Sequence, residues 1–259
     1  IGFAGIRFLF AGILVTILAI IQKRKFKVEQ KSVVAWLLLF ALVNTALHYL
    51  FSYVGLGYLP SSRSTILDSM NGFFAIILSC IIFEDDKFSK FKALGCILGF
   101  GGILLINIEP GQNFFQGISF RGDGMILLNA MCGAFGGIIT RIISKKMDMT
   151  VATSLSMTIG GAFLCVVSAI IGPAARWTIT TESIIIMIGL ILISAVCFGV
   201  YNQLLAYHPI SKIAIFNAFI PILGVIFSSI ILGEPMRVKY IIAGCIVALG
   251  VYVMNHFSK

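Results

Sequence analysis

Charge is what this chain lacks most. Lys, Arg, Asp and Glu make up 11% of its 259 residues, with 10 acidic side chains, while 59% of residues are hydrophobic and mean hydropathy is +1.05. A soluble globular chain carries roughly 25% charged residues, and the long apolar stretches here have no polar face to turn towards water. A soluble helical core is therefore excluded, and a bilayer is the expected solvent. Paired cysteines are absent too: Cys80, Cys96, Cys132, Cys165, Cys197 and Cys245 fall singly in apolar stretches without CxxC spacing. They read as small buried hydrophobes, neither a disulfide framework nor a metal site. There is no HExxH, GxSxG, aspartate-rich metal motif or Cys/His cluster. The residues thus speak against an enzyme and call for no metal or cofactor. Nothing resembles the carbonyl filter or charged ring of a channel.

The net charge of +9 would fit a nucleic-acid partner only if the basic residues shared a face. Instead Lys23, Arg24, Lys25, Lys27 and Lys31 crowd one loop, and most others sit in short inter-helix loops. That is a topology signal, so nucleic acid is excluded and the partner is the lipid bilayer. About 20 apolar residues cross the hydrocarbon as a helix. Nine stretches qualify, at 2–21, 34–54, 61–83, 91–108, 122–144, 151–171, 183–205, 211–232 and 237–257. Period-two alternation is missing, so these are expected to be helices rather than barrel strands. With the loop after residue 21 in the cytoplasm, 13 Lys and Arg fall inside and six outside. Residue 1 is then expected outside and the C-terminus inside.

At a constant offset of 149 residues, Tyr58, Pro60, Ser62 and Ile66 align with Tyr207, Pro209, Ser211 and Ile215. The register continues from Ile77, Ser79, Ile81, Ile82 and Lys90 to Ile226, Ser228, Ile230, Ile231 and Lys239, and from Gly95, Cys96, Ile97 and Gly101 to Gly244, Cys245, Ile246 and Gly250. Matches of Pro, Ser, Lys and Gly are hard to obtain from shared hydrophobicity alone. The offset also pairs 2–21 with 151–171 and leaves 122–144 without a counterpart. The simplest expectation is an all-α membrane protein of two inverted five-helix repeats, a ten-helix fold with its first helix missing and nine present. The repeats are expected at 1–112 and 120–259. Inverted repeats are the design of alternating-access transporters, with a substrate site near mid-membrane. A purely structural scaffold would explain the hydrophobicity but not the repeat.

Several segments then resemble the EamA-like branch of the drug/metabolite transporter superfamily. Ile6-Arg7-Phe8-Leu9-Phe10-Ala11-Gly12 looks like its second-helix Arg-Phe motif. Tyr58-Leu59-Pro60-Ser61-Ser62 and Tyr207-His208-Pro209-Ile210-Ser211 look like the turns into its fourth and ninth helices. Pro221 and Leu232-Gly233-Glu234-Pro235 resemble its ninth-helix proline and the glutamate-bearing turn after it. Phe83-Glu84-Asp85-Asp86 occupies the matching place in the first repeat and departs at Gly233. The resemblance implies ten helices in the cell's inner (plasma) membrane and secondary transport or export of amino acids or related small metabolites.

Ionisable groups inside a membrane need an account. Asp68 lies about two turns into its span, with Asn71 near the same face and Asn217 at the repeat offset. The functional reading makes Asp68 the binder of a substrate amine or the carrier of a coupling proton, with Asn71 and Asn217 donating hydrogen bonds. The structural reading pairs Asp68 with Arg63, His48 or a serine. It is also the only acid expected deep in a span. Asn44 and His48 stand one turn apart, with Tyr49 adjacent, and His48 can carry a proton. Asn129, Tyr201 and Asn202 complete the ligand candidates, with Gln203 expected to cap its helix end. Arg7, Pro221 and Glu234 are structural or gating candidates. Arg7 is expected to snorkel to the outer interface. Pro221 is expected to free a backbone carbonyl, and Glu234 to cap the next helix or to latch the two repeats.

Overall fold

The computed structural model describes residues 1–26, 31–83, 89–107, 118–171, 180–208, 213, 219–235 and 237–256. Among them every regular element is helical, in nine segments. These are α1 (Gly2–Ile21), α2 (Lys31–Leu56), α3 (Ser61–Ile82), α4 (Lys90–Asn107), α5 (Phe120–Ile143), α6 (Met149–Ile171), α7 (Thr181–Tyr207), α8 (Phe219–Leu232) and α9 (Val238–His256). Six of them, α1, α2, α3, α5, α6 and α7, are long and apolar enough to cross a membrane, and α8 and α9 hold shorter apolar helices. Each agrees with an expected stretch to within a few residues except α8, whose expected beginning lies outside the described residues. The agreement comes from the medium: a span buried in lipid must pair its backbone internally, so apolar length and helix length coincide.

Local irregularities fall next to polar side chains. Leu42–Leu47 forms a π-helical segment inside α2 and carries Asn44, and Phe120–Gly124 opens α5 with another. Such segments shift the register of the residues after them, so the facing of His48 and Tyr49 differs from that of an uninterrupted helix. In α3 the hydrogen bonding tightens locally after Asp68, where Ser69 keeps helical dihedrals (φ −61, ψ −14) and its carbonyl accepts from Gly72 N at 3.2 Å.

By its contacts the chain forms two compact units, and neither coincides with one half of the sequence. The first comprises Ile1–Leu50 and Gly136–Tyr207, the second Phe51–Phe135 and His208–Lys259. In the first unit α1 and α6 cross closely through glycine. A Cβ at Gly12 would lie 2.5 Å from the Thr158 backbone nitrogen, and one at Gly161 would collide with the Leu9 backbone nitrogen. The core beside them buries Ala19, Val33, Leu37, Phe40, Ile139 and Ile143. In the second unit α4 and α9 meet through Gly102 against Val247 and Gly250 against the Gly95 carbonyl. Its core gathers Ile66, Met70, Phe73, Ile76, Val225 and Val247. The cysteines are not buried as expected: Cys197 and Cys245 are exposed and the other four partly so. Outward positions in lipid are themselves apolar, so an unpaired thiol has no reason to be inside.

Candidate functional site

In the second unit the Asp68 carboxylate of α3 stands beside α5. Buried Asn129 donates a hydrogen bond from its Nδ2 to Asp68 Oδ1 at 2.5 Å. This corrects the expected alternatives of Arg63, His48 or serine. The reason lies in helix placement, because the side of α5 that carries Asn129 packs alongside Asp68, whereas Arg63 has another partner. Arg63 Nε donates to Asp123 Oδ1 at 2.8 Å, and its Nη2 forms an ion pair with the same oxygen at 2.6 Å. Asp123 Oδ2 accepts from the Ser119 backbone nitrogen at 2.9 Å, and the side chain is 3% exposed. Asp123 is thus a second buried acid, in the opening turn of its span rather than deep within it. Asp123 was missed, although Arg63 and Asp123 both stand within the opening residues of spans expected to begin on the same side of the membrane. Asn71 is half-buried, and no described hydrogen bond joins it to Asp68.

Glu234 sits in the turn after α8, where Gly233 adopts φ +66 and so turns the chain at a position that suits glycine. Its carboxylate accepts from the backbone nitrogens of Ser61 (2.7 Å) and Ser62 (3.0 Å) and from Ser62 Oγ (2.6 Å). It thus caps α3 rather than the next helix, and of the two expected roles these bonds fit the tie between the segments 1–112 and 120–259. The α3 N-terminus has free N–H groups and the positive end of the helix dipole, and Pro60 at its N-cap offers no side-chain acceptor. Burial alone would raise the pKa of Glu234, but the hydrogen bonds from Ser62 and Ser61 lower it below its ordinary value of 4.5.

The first unit holds a different cluster. Phe8 and Tyr49 pack with ring centroids 4.1 Å apart, Phe198 approaches Phe8 edge-on at 5.6 Å, and His48 stands edge-on to Tyr49 at 4.8 Å. The Arg7 guanidinium carbon lies 4.4 Å from the Phe8 ring centroid and 5.2 Å from that of Tyr49. Arg7 Nε is buried and has no hydrogen-bond partner among the described residues. Arg7 therefore lies against the rings, where cation–π attraction favours it. Asn44 packs its Oδ1 against Gly136, and its buried Nδ2 likewise lacks a partner among the described residues.

The remaining candidates divide. Asn202 is buried and donates to Thr153 Oγ1 at 3.1 Å, and Gln203 donates to Thr150 Oγ1 at 2.6 Å. Both tie α7 to α6, so the Gln203 amide is engaged by a hydroxyl of α6 rather than by its own helix end. Tyr201 is 37% exposed. Asn217 lies outside the described residues, and Pro221 falls within α8. Among the described residues no group of His, Cys, Asp and Glu is arranged to hold a metal ion.

Apolar spans with buried polar pairs between them define a multi-pass helical membrane protein. The chain matches the EamA-like transporter family over residues 1–108 and 120–256. It belongs to that family, which supports a membrane transporter role. Among its relatives, the uncharacterized transporter YvbV of Bacillus subtilis (strain 168) is 27% identical, over 99% of this chain and 83% of that protein. The uncharacterized transporter YoaV of the same organism is 22% identical, over 99% and 87%. The chloroplastic WAT1-related protein At3g02690 of Arabidopsis thaliana is 25% identical, over 97% and 62%. A solved crystal structure shares the fold with a TM-score of 0.69 at 10% identity, covering 99% of this chain and 88% of that one.

Proposed function

We propose that the chain is a secondary transporter that exports amino acids or related small metabolites by alternating access, without enzymatic activity. The observation that carries the proposal is the Asp68–Asn129 pair between α3 and α5. A carboxylate inside a span is retained against a cost of a few kcal/mol on insertion scales. Asp68 binds the solute's amine or carries a coupling proton, and Asn129 orients its carboxylate.

Two EamA-like repeats, 1–112 and 120–259, belong to the same proposal. The crossing of α1 and α6 supports them. Gly12 and Gly161 correspond at the 149-residue offset, as do Leu9 and Thr158, and Gly12 meets Thr158 while Gly161 meets Leu9. Contacts exchanged in this way are the mark of a two-fold axis. The excess of Lys and Arg on one side supports residue 1 outside and the C-terminus in the cytoplasm of a plasma membrane.

Reconstitution into proteoliposomes tests the proposal. The expected result is accumulation of at least one amino acid or small metabolite driven by a solute or proton gradient. Asp68→Asn should abolish gradient-driven accumulation while leaving exchange measurable if the carboxylate carries the proton, or raise KM for amine-bearing solutes if it binds them. Unchanged transport in Asp68→Asn at every pH would overturn the role given to this residue.

A further inference from the structure

A guanidinium within a membrane span has an unusual relation to its surroundings in this protein. Arg7 lies five residues into α1, roughly 8 Å from its N-terminal end. Its guanidinium carbon lies over Phe8 and Tyr49, and Phe198 and His48 extend the aromatic wall. The edge of the guanidinium is where its N–H donors project, and the buried Nε on that edge has no acceptor among the described residues. Nor does the first unit supply an obvious resident counter-charge. Of its two described acids, Asp148 pairs with Arg24 at 3.4 Å and Glu182 is exposed in the first turn of α7. Arg7, His48, Tyr49 and Phe198 are each partly exposed, whereas Phe8 beneath them is fully buried.

A planar fork held beside aromatic rings, with its buried Nε donor unsatisfied among the described residues, fits a carboxylate, which accepts two parallel N–H bonds. We propose that Arg7 is a carboxylate-binding residue, and that the partly exposed Tyr49 and Phe198 rings receive the apolar body of the same solute. A transport role for this site rests on the chain being an exporter of small solutes. Binding at the site does not, and can be measured by itself.

The probes are 3-phenylpropanoate and its amide, which have nearly the same shape and differ in the carboxylate. The full chain in lipid nanodiscs, labelled with ¹⁵N-arginine, has seven arginines, and the Arg7 Nε–H signal is the one lost in Arg7→Lys. The acid should shift this signal saturably, and the amide should not. A charge-assisted pair corresponds to about tenfold or more in affinity. Arg7→Gln should therefore weaken binding of the acid by at least that factor while changing the amide less than twofold. Should Arg7→Gln fail to fold, the titration of the unaltered protein still decides. Equal binding of acid and amide, an unmoved Arg7 signal, or undiminished binding of the acid to Arg7→Gln would overturn the site. Binding that passes these tests in a protein that moves no solute would instead overturn the transport proposal and leave the site in place.

Discussion

Replacing Glu234 with alanine removes three hydrogen bonds to the N-terminus of α3 at once, from Ser61 N, Ser62 N and Ser62 Oγ. Loss of a helix N-cap costs about 0.5–2 kcal/mol, and loss of a negative charge at the dipole's positive end about 0.3–1 kcal/mol. Glu234 is only partly buried, so the sum is expected near the lower half of that range, about 1–2 kcal/mol, or a fall of about 2–8 °C in Tm for a chain of this size. Glu234→Gln keeps an acceptor oxygen without the charge and should lose less. The sign with pH comes from the lowered pKa of Glu234. A carboxylate whose folded pKa lies below its unfolded value stabilises fully above the unfolded value and loses that effect as pH falls through the folded one. The gap in Tm between the unaltered protein and Glu234→Ala should thus stay constant from pH 7 to 5 and close below the ordinary 4.5. Thermal unfolding of the detergent-solubilised chain, with Ser62→Ala completing a double-mutant cycle, measures both. A neutral Glu234→Ala, a gap that persists in acid, or strictly additive Glu234 and Ser62 effects would refute the capping role.

The Arg63–Asp123 pair should behave as a buried ion pair. Arg63→Met or Asp123→Leu alone should destabilise by about 3–5 kcal/mol, because each leaves a charge without its partner, while the double change should recover most of the loss. Denaturant titration of the four proteins checks this, and a double variant worse than either single one would sink it. At the α1–α6 crossing, Gly161→Val should sharply reduce folded yield, since the added carbons meet the Leu9 backbone rather than a movable side-chain end. Gly189→Ala is the control, because a Cβ there meets nothing within 4 Å, and it should fold normally in size-exclusion chromatography.

The helical spans were legible because they depend on local quantities. Apolar length decides what crosses the bilayer, and in lipid a crossing segment must satisfy its own backbone. The family motifs were legible for a similar reason, being short runs such as Arg7-Phe8 and Gly233-Glu234-Pro235. Asp68, Asn129 and Glu234 could likewise be picked out as polar residues in or beside apolar spans, but their partners could not. Asp68 meets Asn129 across 61 positions of chain and Glu234 meets Ser62 across 172. Such partners are chosen by which helix faces pack together, and side chains long enough to reach several neighbours leave the choice open in the sequence. The π-helical segment around Asn44 and the placement of Arg7 against Phe8 and Tyr49 belong to the same class. The sequence by itself determined that this is an apolar, multi-helix membrane protein of a recognisable family. Tertiary structure decided which buried charges are neutralised and which donor is left unsatisfied, because hydrogen bonds and ion pairs act over a few ångströms and only packing brings distant residues that close.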